Sequence, residues 1–239
     1  FHSLTNRILN KPEKKEKKVE LQGDLFAEIQ PVGEEAPKNS SFESLKTVKH
    51  EYHLVETEED AKELFDFLRT FKILSLDTET TSTNSIDAEL VGLSFAVNEN
   101  QAWYVAIPAN RKQAQKLVNI FKPLYEDEKI LKVGQNIKYD LEVLQNYGVT
   151  LAGKMFDTMI AHYVIQPELH HGMDYLAEIY LNYKTIHIDE LIGPKGKNQG
   201  NMRDVHPSEV YEYACEDADV TLKLKNILEQ ELKKVGAED

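Results

Sequence analysis

The stretch Lys72-Ile73-Leu74-Ser75-Leu76-Asp77-Thr78-Glu79 decides the fold. Ile73, Leu74 and Leu76 make a nearly continuous apolar run, as expected of a strand buried on both faces and therefore central in its sheet. The run ends on two acids, Asp77 and Glu79, and alternate side chains of a strand share a face. Two carboxylates ~4 Å apart repel by roughly 4 kcal/mol at an effective dielectric of about 20, a cost relieved by protonating one or by setting a cation between them. Taken alone, the pair reads equally well as one acid that caps a turn at Thr80 and Thr81 beside another that is solvated.

Working outward, residues 52–55 predict a short strand, and Thr57 caps a helix whose Ala61, Leu64, Phe65 and Leu68 fall on one face. On the other side, residues 90–97 and 101–107 predict two strands around the turn Asn98-Glu99-Asn100, so three strands in succession start the sheet. A helix over 111–125, a strand over 130–133 and a helix over 137–147 ending at Gly148 then alternate as in an α/β domain. Helical segments dominate the remainder apart from an irregular stretch at 193–201, and Pro207 opens a long helix to about Lys234.

The 239 residues suffice for one domain whose core needs no disulfide, and the lone Cys215 allows no internal one. No run approaches the length that spans a bilayer, so no membrane partner is expected, and the single thiol fits a reducing, cytoplasmic setting. The first residue, Phe1, suggests a fragment or a processed chain. Against 41 Asp and Glu stand 28 Lys and Arg, a net charge of -13, which argues against strong binding to nucleic acid unless the acids gather cations that then meet the phosphate. Residues 1–50, with the charge cluster Glu13-Lys14-Lys15-Glu16-Lys17-Lys18 and no hydrophobic periodicity, read as a mostly flexible interdomain linker ahead of a domain over 51–239.

Two further places carry acids that could do chemistry. Tyr213 and Asp217 are spaced to stack on one side of the last helix, where an acid and a phenol can address one centre. The alternative packs Tyr213 in the core and leaves Asp217 in a solvated acidic run with Glu216 and Asp219. Asp140 follows Asn136, a natural N-cap, and points from the first turn near the positive end of the helix, where an acid is often only a dipole partner.

Together these segments resemble a known family. Leu76-Asp77-Thr78-Glu79-Thr80, then Gly134-Gln135-Asn136 with Lys138-Tyr139-Asp140, then Tyr213-Ala214-Cys215-Glu216-Asp217 are similar, in order and spacing, to the three exonuclease motifs of the DEDD superfamily in its tyrosine subclass. More narrowly, they resemble the 3′-5′ proofreading exonuclease domain of bacterial DNA polymerase I. Phe156-Asp157-Thr158-Met159 and Lys195-Gly196-Lys197-Asn198-Gln199 add to that likeness, which covers roughly residues 50–235. Thr81 and Thr83 depart from the acidic or apolar residues usual after the first motif.

The resemblance implies a ribonuclease H-like mixed sheet, three antiparallel strands followed by parallel ones, flanked by helices. It implies two-metal-ion hydrolysis of phosphodiesters with Mg²⁺ or Mn²⁺, Zn²⁺ being possible in so acidic a site. Asp77, Glu79 and Asp217 would hold one ion, Asp77 and Asp140 the other, and Tyr213 would orient the attacking water. Thr78, Gln135 and Asn136 would face the substrate, a single-stranded or frayed DNA 3′ end, and a polymerase domain would follow in the same chain. Two rival readings remain, an RNase D-like exonuclease that trims RNA and a structural module that does not use its acids. Gln22-Gly23-Asp24-Leu25-Phe26 also looks like the short peptide that docks bacterial sliding clamps, apart from Gly in its second position.

Overall fold

The computed structural model describes residues 41–237. The clamp-like peptide and most of the expected linker fall outside these residues. The apolar run becomes strand β2, Ile73–Thr80. With β1 (Glu51–Val55), β3 (Leu90–Asn98), β4 (Gln101–Ala106), β5 (Leu131–Gly134) and β6 (Met155–Asp157) it forms a six-stranded sheet in the order β1-β4-β3-β2-β5-β6. β2, β3 and β4 are antiparallel neighbours, as in a meander, whereas β1 on β4, β5 on β2 and β6 on β5 run parallel. This is the ribonuclease H-like mixed sheet, with β2 in its interior as its two-sided apolar pattern requires.

The helices among the described residues are α1 (Glu58–Leu68), α2 (Arg111–Glu126), α3 (Ile137–Gln145), α4 (Thr158–Ile165), α5 (Met173–Leu181), the single turn α6 (Asp189–Ile192) and α7 (Pro207–Val235), with a 3₁₀ turn at Met202–Asp204. Thr57 caps α1 by accepting from the Asp60 N–H, and Asn110 caps α2 by accepting from Lys112 and Gln113. One face of the sheet packs Leu74, Leu76, Phe95 and Val105 against α1, α2 and α3 through Leu64, Phe121 and Leu144. Tyr104, Ala96 and Ala102 of the other face meet Val210, Ala214 and Ala218 of α7. A third cluster seats Ala161 of α4 and Leu176 of α5 on Val220, Leu224 and Leu228 of α7. No helix among the described residues is long and apolar enough to cross a membrane.

Three details depart from the sequence reading. The three-residue β6 was not foreseen, because Met155-Phe156-Asp157 is too short for any periodicity to show. The helix expected over 137–147 stops at Gln145, since the Tyr147 ring turns into the core, its hydroxyl takes the Leu90 N–H at 3.0 Å, and Gly148 adopts φ 73°. Packing with the domain also starts ahead of residue 51: Glu43 bridges to Tyr183, its N–H bonded to the Asn182 carbonyl at 3.0 Å.

Candidate active site

Alternation along β2 sorts its side chains between the two layers. Leu74, Leu76 and Thr78 face α3, while Ser75, Asp77 and Glu79 face α7. The Ser75 hydroxyl donates to the Ala218 carbonyl at 2.8 Å and fixes the strand against that helix at the residue next to Asp217. Carboxylate oxygens of Asp77, Glu79 and Asp217 consequently lie within 4.8 Å of one another. Asp140 arrives from α3, on the other side of the sheet. It lies in the first turn, as expected, but is buried, and its Oδ1 accepts from the Thr78 hydroxyl at 2.6 Å.

Burial raises every one of these acids. Asp77 is pushed up to about 6, with the Thr78 N–H pulling weakly the other way. Glu79 is raised well above the carboxylate range by burial and then by the charges of Asp77 and Asp140. Asp140 is raised by burial and by Asp77, and Asp217 by burial and by Asp77, Glu79 and Glu216. Among the described residues, none of the ion pairs includes any of the four, so no Lys or Arg offsets this repulsion. Asp217 Oδ1 is moreover buried without a hydrogen-bond partner. A buried acceptor left open costs about 1 to 3 kcal/mol, and more for a charged group. Oxygen donors only, mutual repulsion and an open acceptor together suit a hard divalent cation.

Tyr213, one turn before Asp217 on α7, turns its phenol to the Asp217 carboxylate and is raised well above 10 by burial and by the charges of Asp217, Glu79 and Asp77. The phenol is therefore a proton-bearing group at neutral pH. Behind Glu79, the Tyr104 ring lies flat on β3 because position 92 is glycine: a Cβ there would come within 1.9 Å of the ring. Above the end of β2, Asn201 donates to the Thr81 carbonyl at 2.9 Å, and the Arg203 guanidinium donates to the carbonyls of Ile107 and Leu90.

Asn136 corrects an expectation. It holds the N-cap position of α3 in the left-handed region, φ 57° and ψ 43°, and its side chain caps nothing. The cap comes from Asp157 at the end of β6, whose carboxylate accepts from the Asn136 and Ile137 N–H groups. Gln135 is tied back by donating to the His171 carbonyl at 2.7 Å and accepting from the Thr158 hydroxyl. Thr78, foreseen as facing substrate, is a buried support for Asp140. Residues 195–198 form an exposed loop, and Cys215 is fully buried against β1, its thiol shifted up by burial. Sequence reading missed Asp157 and Arg203, since neither partner set is close in sequence; the string Phe156-Asp157-Thr158-Met159 was the only trace of the first.

A ribonuclease H-like mixed sheet that gathers the carboxylates of β2 and α7, with Asp140 of α3 held by Thr78 of the same strand, is an arrangement suited to a metal-dependent nuclease. Residues 52–233 match a family model described as 3'-5' exonuclease. The chain is 35% identical over 221 residues to DNA polymerase I of Pseudomonas aeruginosa, covering 89% of this chain, and 31% identical over 226 residues to that of Borreliella burgdorferi, covering 92%. It belongs to the 3′-5′ exonuclease domain family of DNA polymerase I and spans 24% of the length of each of those two relatives. The fold is shared with Escherichia coli RNase D, an exoribonuclease involved in structured RNA processing (TM-score 0.61, 21% identity, 77% of this chain and 46% of that one). It is shared also with Brucella melitensis NrnC with bound Mg2+ (TM-score 0.58, 23% identity, 80% and 85%).

Proposed function

We propose that the chain is the proofreading part of a longer bacterial, cytoplasmic DNA polymerase I, with residues 51–239 as its exonuclease domain following an interdomain linker. It removes nucleotides from single-stranded or frayed DNA 3′ ends that a polymerase domain of the same chain delivers. The reading rests on one observation above others, the Asp77, Glu79 and Asp217 oxygens within 4.8 Å of one another with no ion-pair partner among the described residues. Asp77, Glu79 and Asp217 would hold one divalent ion and Asp77 with Asp140 the second, Mg²⁺ or Mn²⁺ by the preference of all-oxygen sites. Ions so held would supply activation of a water and a counter-charge for the leaving 3′ oxygen.

The chain's own groups do the rest. Burial keeps the Tyr213 phenol protonated, so it orients a water by hydrogen bonding and is no base. Thr78 locks Asp140 through its hydroxyl. The Asn136 side chain, exposed and free of any capping duty, is placed to meet the terminal nucleotide beside Gln135. With a net charge of -13, affinity for DNA comes mainly through the bound cations and stacking, and the isolated domain binds weakly.

The test is release of mononucleotides from a 3′-labelled single strand, run on DNA and on RNA of one sequence. Metal-dependent release from DNA, stopped by EDTA and by Asp217→Ala, supports the reading. Preferential digestion of RNA replaces it with the RNA-trimming one, and no release with any divalent ion leaves a structural module.

A further inference from the structure

We propose that Asp157 is a positioning residue that sets Asp140, and through it the second cation, by capping two helices with one carboxylate; this rests on the metal-dependent reading above. Asp157 ends β6 and is the N-cap of α4, where its Oδ1 accepts from the Met159 N–H at 2.9 Å and the Ile160 N–H at 3.3 Å. The same carboxylate reaches across to α3. Its Oδ1 takes the Asn136 N–H at 3.1 Å, and its Oδ2 takes the Ile137 N–H at 2.9 Å. The parallel pairing of Gly134 with Asp157 brings the two chain segments side by side and makes this reach possible.

Four backbone N–H groups converge on this carboxylate, three at Oδ1 and one at Oδ2, and Asp157 is not among the three acids that lie within 4.8 Å of one another. Its role is mechanical. The start of α3 has no cap of its own, because Asn136 sits in the left-handed region and contributes no side-chain bond. Asp140 lies in the first turn of that helix, and Thr78 is the other group that fixes its carboxylate. A short nine-residue helix frays from an uncapped end, and displacing a catalytic group by about 1 Å costs on the order of a hundredfold in rate. One negative charge at two helix N-termini also meets the positive ends of both macrodipoles.

Two substitutions separate the α3 cap from the α4 cap. Asp157→Asn keeps an oxygen for the three donors at Oδ1 and turns an NH₂ to the Ile137 N–H. Asp157→Ser keeps a good cap for α4 but is too short to reach α3. Either keeps the domain assayable should the other not fold. The controlling variant is Thr57→Ala, which removes the α1 cap, well away from the acids.

Mn²⁺ binding is read by electron paramagnetic resonance, and amide hydrogen exchange at Ile137 is read in the metal-free protein. Wild type is expected to bind two Mn²⁺. In both Asp157 variants one site is expected to weaken about tenfold while Ile137 exchanges faster. Activity on a 3′-labelled strand falls with them and returns at high Mn²⁺, with KM for DNA unchanged. Thr57→Ala is expected to lower the melting temperature and leave both Mn²⁺ sites as they were. Unaltered Mn²⁺ binding in the Asp157 variants beside a two-site wild type overturns the positioning role alone. A wild type that binds no Mn²⁺ overturns the metal-dependent reading and the positioning role together.

Discussion

Helix α7 carries Glu216, Asp217 and Asp219 almost side by side, all buried, yet the helix treats them in two ways. On the side away from β2, Glu216 accepts from the Tyr183 hydroxyl and the Ile186 N–H, each at 2.6 Å. Asp219 accepts from the Tyr52 hydroxyl and the Asn100 N–H, each at 2.7 Å, and from Lys223 at 2.8 Å. These bonds join α7 to β1, to the β3–β4 turn and to the segment after α5. On the side toward β2, Asp217 faces two other carboxylates and keeps one buried oxygen unbonded. The solvated acidic run that the sequence allowed is therefore absent. One side of the helix spends its acids on holding the fold, and the other leaves its acid short of partners, as a site that receives a cation must.

The contrast breaks most visibly in activity. Asp217→Ala is expected to lower kcat on single-stranded DNA by about a thousandfold or more, the consequence of losing ~4 kcal/mol of transition-state stabilisation. The metal-free variant should melt no lower than wild type, because an unpaired buried charge has gone. Asp219→Ala should do the reverse. Removing one partner of a buried pair leaves Lys223 with Asn100 but no counter-charge, leaves the Tyr52 and Asn100 donors unsatisfied, and costs about 3 kcal/mol in urea unfolding. Activity per folded molecule should stay within about threefold. If both variants lose activity equally at matched folded fractions, the division between the two sides is wrong.

Acidity sharpens it next. In the metal-free protein Asp77 is raised from 3.8 to about 6, so the folded state binds a proton that the unfolded state has already released in that interval. An acid raised in this way loses stability for the fold as pH climbs from about 4 to about 6, on the order of 2 to 3 kcal/mol. The metal-free melting temperature should fall across that window, Asp77→Asn should flatten the fall, and Mg²⁺ should reverse it above pH 6. A metal-free melting temperature that rises through the same window contradicts the crowding of unpaired acids.

Tyr213→Phe gives the smallest effect, about tenfold in kcat with KM little changed, since the phenol orients water and holds no ion. Losses equal to those of Asp77→Ala or Asp140→Ala would make the tyrosine more than that.

Much of this was legible in residues 72–79, because a two-sided apolar strand closing on two acids of one face fixes both the sheet centre and half of the acid cluster. The spacing of Tyr213 and Asp217 was legible for the same reason, one helical turn being a local property. What escaped is what depends on chain segments meeting. That Glu216 and Asp219 are buried follows from Tyr52, Asn100 and Tyr183, which no periodicity links to α7. The cap of α3 was sought in Asn136, next in sequence, and is supplied by Asp157 through a three-residue strand too short to announce itself. The Tyr104 ring against Gly92 likewise belongs to register across β3 and β4.

The most direct test is a crystal grown with Mn²⁺ and a deoxynucleoside monophosphate, read by anomalous scattering. Manganese is expected between the oxygens of Asp77, Glu79 and Asp217, with a second ion between Asp77 and Asp140. Crystals that still shorten a DNA 3′ end in Mn²⁺ but show no anomalous peak among these carboxylates would contradict the claim that the acids of β2, α3 and α7 meet around cations.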